Sequence, residues 1–187
     1  MNLLNRYLTL LKERPYLAQS VTSAFLFFSG DLLCQYIVQK RNSTKNISSN
    51  NTLHFDYQRT FLQSSIGFLL SPWYIWHYNF VVPRLFPNNM KFRVMKSTLW
   101  MFALVGPIHS FFYFCYLSYM TKGYLNREYI RTGVSDIIIS GALVWLPFNL
   151  VAIKYVAPHY RVLASNFYAI LWQAYASFVS NEKYGSL

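Results

Sequence analysis

LAQSVTSAFLFFSGDLLCQYIV, residues Leu17 to Val38, is the stretch on which the fold turns. It is long enough to cross a bilayer, which takes about 20 consecutive, mainly apolar residues in a helix. It is interrupted once by a charge, at Asp31. A carboxylate at the bilayer centre costs at least about 2.5–3.5 kcal/mol, so such a residue faces protein or water and finds a partner. Gln35 lies four positions on and shares the helix face of Asp31. Gly30 adjoins that face and lets a neighbouring helix come close. The stretch therefore reads as a spanning helix with one inward polar patch. That patch is either the lining of a pore or a hydrogen-bonded clamp between helices. Arg59, Lys96, His109 and Lys154 are the candidate partners for Asp31.

The rest of the chain agrees with a membrane-embedded reading. Of 187 residues, 54% are hydrophobic and only 12% charged, about half the charge of an ordinary soluble domain. Aromatic residues reach 20%, with 16 Tyr, 16 Phe and 5 Trp, which suits both packing and anchoring at the membrane–water boundary. Lys and Arg exceed Asp and Glu by 17 to 6, for a net charge of +11. The basic residues cluster between apolar stretches, where they suit anionic lipid headgroups. No recognisable nucleic-acid module accompanies them. The loop Lys and Arg residues divide almost evenly between the two sides and set no orientation.

Four apolar stretches predict spans over 17–38, 60–82, 94–120 and 137–157. Pro72, Gly106-Pro107 and Pro147 fall inside three of them, and such prolines kink membrane helices where neighbours satisfy the freed carbonyls. Residues 1–16 carry Leu3, Leu4, Tyr7, Leu8 and Leu11 beside Arg6, Lys12 and Arg14, the pattern of an interfacial amphipathic helix. Residues 40–56 are rich in Asn, Ser and Thr and predict a flexible loop. Residues 162–178 predict a short fifth helix. The fold class is thus all-α: one integral membrane domain over 1–187, a transmembrane bundle of about four spans with an N-terminal amphipathic helix and a short C-terminal helix.

Chemistry-bearing motifs are sparse. Cys34 and Cys115 sit in apolar surroundings without metal-ligand or disulfide spacing. The four histidines form no ligand pattern. His77 lies in the aromatic run PWYIWHYNF, and His109 follows the Gly106-Pro107 break. There is no nucleophile beside a base, no carboxylate pair and no phosphate-cradling loop. The expectation is a protein without enzymatic activity, cofactor or metal. The candidate pore or interhelical polar residues are Asp31, Gln35, His109 and Asn149.

These motifs resemble the family named for Mpv-seventeen and the 22-kilodalton peroxisomal membrane protein. Tyr7, Leu11 and Arg14-Pro15 are similar to its opening pattern. Gly30-Asp31 with Gln35, then Asp56 with Arg59, resemble its next two signatures, and Gly67, Pro72, His77 and Tyr78 follow. Toward the C-terminus Trp145, Val156, Arg161, Asn166, Trp172, Tyr175 and Ser177 keep its register. Asn149 stands where the family usually has Gln, and the Asp-Gln usual in the third span is absent at 97–100. The resemblance implies a small four-span protein with a channel-like or metabolite-homeostasis role and no catalytic residues. It implies the mitochondrial inner membrane, with the peroxisomal membrane as alternative. A structural accessory subunit of a larger inner-membrane complex is the competing function. Membrane lipids are the expected partners, together with a homo-oligomer or such a complex, and nucleic acid is not.

Overall fold

The computed structural model describes residues 6–7, 9–10, 13–45, 54–87, 89–155 and 158–184, except the side chains of 43–45, 74–75, 78–79, 149–150, 152–154 and 158–167. The described chain is helical: α1 Pro15–Lys45, α2 Tyr57–Trp76, α3 Val82–Leu85, α4 Arg93–Trp100, α5 Gly106–Lys122, α6 Arg127–Tyr155 and α7 Pro158–Ser177. Three π turns join or extend them: His77–Val81, Met101–Val105 and Phe178–Lys183. Three continuous rods are long and apolar enough to cross a membrane, Pro15–Asn42, Arg93–Lys122 and Arg127–Phe148.

The first two π turns each stand just before a proline. Pro83 and Pro107 have no N–H to give, and their rings clash with the carbonyl four residues back. In each case the residue ahead of the proline bonds five residues back instead: Val82 N–H to the His77 carbonyl, Gly106 N–H to the Met101 carbonyl. The rod passes the proline with one widened turn. Pro15 acts differently. Residues 15 positions apart in a straight helix are separated by about 22 Å, yet the Tyr7 and Thr22 hydroxyls meet at 2.8 Å. The segment before Pro15 therefore folds back on α1. The rest of the interfacial-helix reading, at residues 1–5, 8, 11 and 12, lies outside the described residues.

Helices outrun the apolar stretches in three places. α1 continues to Lys45, into the segment read as a loop, because Lys, Arg and Gln form helix readily once outside the bilayer; residues 46–53 lie outside the described residues. α6 starts at Arg127 rather than 137 and buries Tyr129 and Ile130 while Arg127, Glu128 and Arg131 are exposed. The last helix spans the predicted 162–178 and runs on through the third π turn to Lys183.

The helices form a closed ring. α1 packs on α2 and α7, α2 on α5, α5 on α6, and α6 on α7. Small residues set the closest crossings. A Cβ on Gly30 would lie 2.4 Å from Gln173 Cβ and 2.9 Å from the Ala174 backbone nitrogen, so α1 and α7 touch nearly backbone to backbone. On Gly67 it would lie 2.8 Å from the Phe27 ring. One half of the ring is filled by Phe27, Ile66, Phe114, Leu117, Tyr129 and Val179 with their neighbours. Outside it, residues such as Phe25, Phe61, Ile139 and Leu143 are exposed, the apolar faces that lipid requires.

The Gly30 contact gives a direct test. Gly30→Ala is expected to lower stability by about 1–3 kcal/mol through overpacking. Gly106→Ala, whose nearest neighbour would stand at 3.5 Å, is expected to stay close to wild type. Thermal unfolding of both variants in detergent checks the contrast.

Candidate functional site

Asp31 is fully buried and accepts four hydrogen bonds from three helices. Oδ1 takes Arg59 Nε at 2.9 Å and the Ser177 hydroxyl. Oδ2 takes Gln35 Nε2 at 2.7 Å and the Thr60 hydroxyl at 2.6 Å. Of the partners open to Asp31 on sequence grounds, Arg59 is the one in place; Lys96 and His109 lie toward the other end of the ring, and the Lys154 side chain lies outside the described residues. A buried carboxylate with a cation and three further donors is compensated as fully as its lone pairs allow.

Each donor is positioned by its own element. Asp56 caps α2, its Oδ1 accepting the Arg59 N–H at 3.0 Å, which sets the first turn and aims both Arg59 and Thr60 inward. Gln35 answers Asp56 twice, accepting its N–H at 2.7 Å and donating to its carbonyl at 3.1 Å. One turn later Gln39 repeats this pairing with His54, at 2.9 and 2.6 Å. The two carboxamides thus fasten the return of the chain to α1.

The rest of Arg59 points to the C-terminal segment. Nη1 pairs with Glu182, while Nη2 donates to Ser177 Oγ at 3.1 Å and to Cys34 Sγ at 3.4 Å. Ser177 and Glu182 are five residues apart, which in an α-helix turns them about 140° away from each other. The π turn Phe178–Lys183 bonds five residues apart and brings both onto the face that meets Arg59. It also aims Lys183 at Asp136 on α6, 2.6 Å away. That hydrogen bond holds the Lys183 ammonium above the usual lysine range.

A second polar layer lies one turn toward the ring centre. Tyr113 donates to Gln63 Oε1 at 2.7 Å, and Gln63 Nε2 donates to Ser180 at 3.2 Å. Tyr113 also borders a cavity of about 450 Å³ in the other half of the ring. Every helix of the ring reaches it: Ser23 and Phe27 from α1, Ser71 from α2, His109 from α5, Gly141 and Trp145 from α6, Trp172 and Gln173 from α7. Trp145 and Trp172 stand edge to face at 6.1 Å along its wall. The two polar layers close the cavity at the Asp31 end.

The sequence-derived candidates therefore separate. Asp31 and Gln35 join Arg59 and Asp56 in the closing layer, and Gly30 makes room for it. His109, Trp145 and Trp172 border the cavity, and Tyr175 bonds Ser140 at 2.7 Å beside it. Arg14 and Pro15 form the bend before α1. The side chains of Asn149 and Arg161 lie outside the described residues. Thr60, Gln63, Tyr113, Ser180 and Glu182 were not singled out by sequence. Glu182 alone left a signal, as one of only six acidic residues.

The sequence pattern of the Mpv17 / PMP22 family matches residues 126–177. Protein SYM1 of Gibberella zeae is 27% identical over 94% of this chain and 96% of its own length. Peroxisomal membrane protein 2 of Bos taurus is 23% identical, over 92% and 86%. Mitochondrial inner membrane protein Mpv17 of Danio rerio is 23% identical, over 94% and 96%. No solved structure matches.

The magnitudes rank the variants. Arg59→Gln strands a buried carboxylate and is expected to cost about 3–5 kcal/mol. Glu182→Gln removes a pair that is one-third exposed on the Glu side and is expected to cost under about 1 kcal/mol. The double variant Asp31→Asn/Arg59→Gln, which removes both charges, is expected to regain part of the Arg59→Gln loss. Denaturant titrations in detergent, combined as a double-mutant cycle, read all three.

Proposed function

We propose, on the premise that the chain belongs to the Mpv17 / PMP22 family of membrane proteins, that it forms a narrow, gated path for small solutes. It is an integral protein of the mitochondrial inner membrane, with the peroxisomal membrane as the alternative; relatives named for each address align with nearly the whole chain. One observation carries the path reading. Five helices ring a cavity of about 450 Å³ that is closed at one end by a buried ion-pair layer. A helix bundle built for packing alone fills its centre to close density. This one fills only the half beneath the ion pair.

The described lining supports a solute rather than a lipid tail. Ser23, Ser71, Thr98, Ser110 and Tyr113 bring hydroxyls, His109 an imidazole and Gln173 a carboxamide, between walls of Phe102, Trp145 and Trp172. Pockets of this size that mix apolar walls with a few convergent polar groups hold small molecules. In this reading the Asp31 layer is a gate: it joins α1, α2 and α7, and separating Arg59 from Glu182 and Ser177 loosens α7 at the closed end.

Full-length protein in liposomes, assayed for uptake of small solutes by light scattering, tests the reading. Wild type is expected to pass solute slowly, and Glu182→Gln several-fold faster while remaining folded. Gly141→Leu is expected to slow uptake, because its first added carbon already stands 3.5 Å from Trp172 and 3.6 Å from Phe102 across the cavity. Uptake equal to that of protein-free liposomes for all three would refute the path and leave the accessory-subunit role.

A further inference from the structure

The end of the ring opposite Asp31 carries a different arrangement, which the path reading does not use. Here α2 ends and the chain turns through α3 into α4, with Arg84, Lys91, Arg93 and Lys96 within a short span of sequence. No Asp or Glu occurs between Asp56 and Glu128. Of the six acidic residues, Asp31, Asp56, Glu128, Asp136 and Glu182 all belong to the opposite end, and only Glu13 lies at this one. The four cations therefore face little local countercharge from the protein itself.

Three structural observations accompany the charge. Phe92 has a left-handed backbone, φ 58°, uncommon for a bulky side chain, and holds its ring 62% exposed. Lys91 stands over that ring at 5.4 Å, Arg84 over Phe80 at 5.9 Å, and Arg93 Nε donates to the Phe86 carbonyl at 2.6 Å. Leu85, Val94 and Met95 are exposed beside them, and no residue of α4 is fully buried. Lastly, the indole nitrogens of Trp73 and Trp100 are buried without a hydrogen-bond partner among the described residues. Both indoles pack on the same small cluster, Val82, Met101 and Val105, that underlies this turn. Phe86 joins them, its ring 6.2 Å from Trp100.

We propose that the turn from α2 to α4 is a binding site for an anionic phospholipid. The cations take the phosphate, each near-surface Lys or Arg adding to the attraction. The exposed Phe92, Leu85, Val94 and Met95 enter the upper acyl region. The Trp73 and Trp100 indoles pack beneath this turn and back the exposed ring layer. A soluble anion would satisfy the cations alone; a phospholipid answers the cations and the exposed apolar side chains together.

The test uses full-length protein in nanodiscs of phosphatidylcholine with cardiolipin. Lipid retained after mild extraction is counted by native mass spectrometry. Cardiolipin is expected to be retained over phosphatidylcholine. Arg84→Gln and Lys91→Gln are each expected to weaken retention about fivefold. Lys40→Gln at the opposite end is expected to leave it as in wild type. The site is refuted by equal retention of both lipids, by retention indifferent to Arg84 and Lys91, or by an equal loss in Lys40→Gln. Should Arg84→Gln fail to fold, Lys91→Gln carries the test, since the described contact of its ammonium is the exposed Phe92 ring.

Discussion

The Asp31–Arg59 pair joins α1, α2 and the end of α7 at one buried, charged point. Asp31 comes from the middle of α1, Arg59 from the first turn of α2, and Ser177 from the end of α7, with Glu182 in the π turn beyond. A buried charge pair contributes little net stability against a well-packed apolar substitute, because desolvation offsets most of the attraction. What it does impose is register. A slip of any one helix by a single residue would leave a charge uncompensated in a low-dielectric interior, at a cost of several kcal/mol. In a membrane this matters more, since lipid tails give apolar helices no hydrophobic reason to prefer one register over another.

Close approach is the condition for that pair, and glycine supplies it. Ser177 reaches Asp31 because α7 lies against Gly30 nearly backbone to backbone. Gly67 similarly admits the Phe27 ring between α1 and α2. The prolines work at the other half of the ring. Pro83 and Pro107 each force a widened turn, the second of them in the wall of the cavity, and the third widened turn, with no proline, sets Ser177 and Glu182 on one face. Irregular backbone is thus confined to three widened turns, while the rods between remain regular.

The two ends of the molecule divide the chemistry. Nearly all its acidic groups sit at the closed end, and four of them are paired or capping: Asp31 and Glu182 with Arg59, Asp56 with the first turn of α2, Asp136 with Lys183. The opposite end carries Arg84, Lys91, Arg93 and Lys96 with little acidic countercharge, beside the exposed Phe92 ring. One end is organised by partners within the chain, and the other by the solvent it meets.

Much of this was written locally. The three membrane-length rods among the described residues follow from apolar length, the bends from proline, and the inward face of α1 from the spacing of Asp31 and Gln35, because each depends on residues within a few turns of one another. The family pattern belongs to the same class, since its motifs recur at fixed offsets along the chain. Three things required the tertiary structure. Choosing Arg59 over Lys96, His109 and Lys154 needed the direction in which α2 returns. Separating Asp31 from the cavity that His109, Trp145 and Trp172 border needed the order of helices around the ring. Recognising Gln63, Ser180 and Glu182 needed the approach of α2 to the π turn after α7, more than a hundred positions away, and recognising Thr60 needed the approach of α2 to Asp31. Sequence states which groups must be satisfied inside a bilayer; only the packed ring decides which of them satisfy one another, because that depends on distances through space that no local spacing encodes.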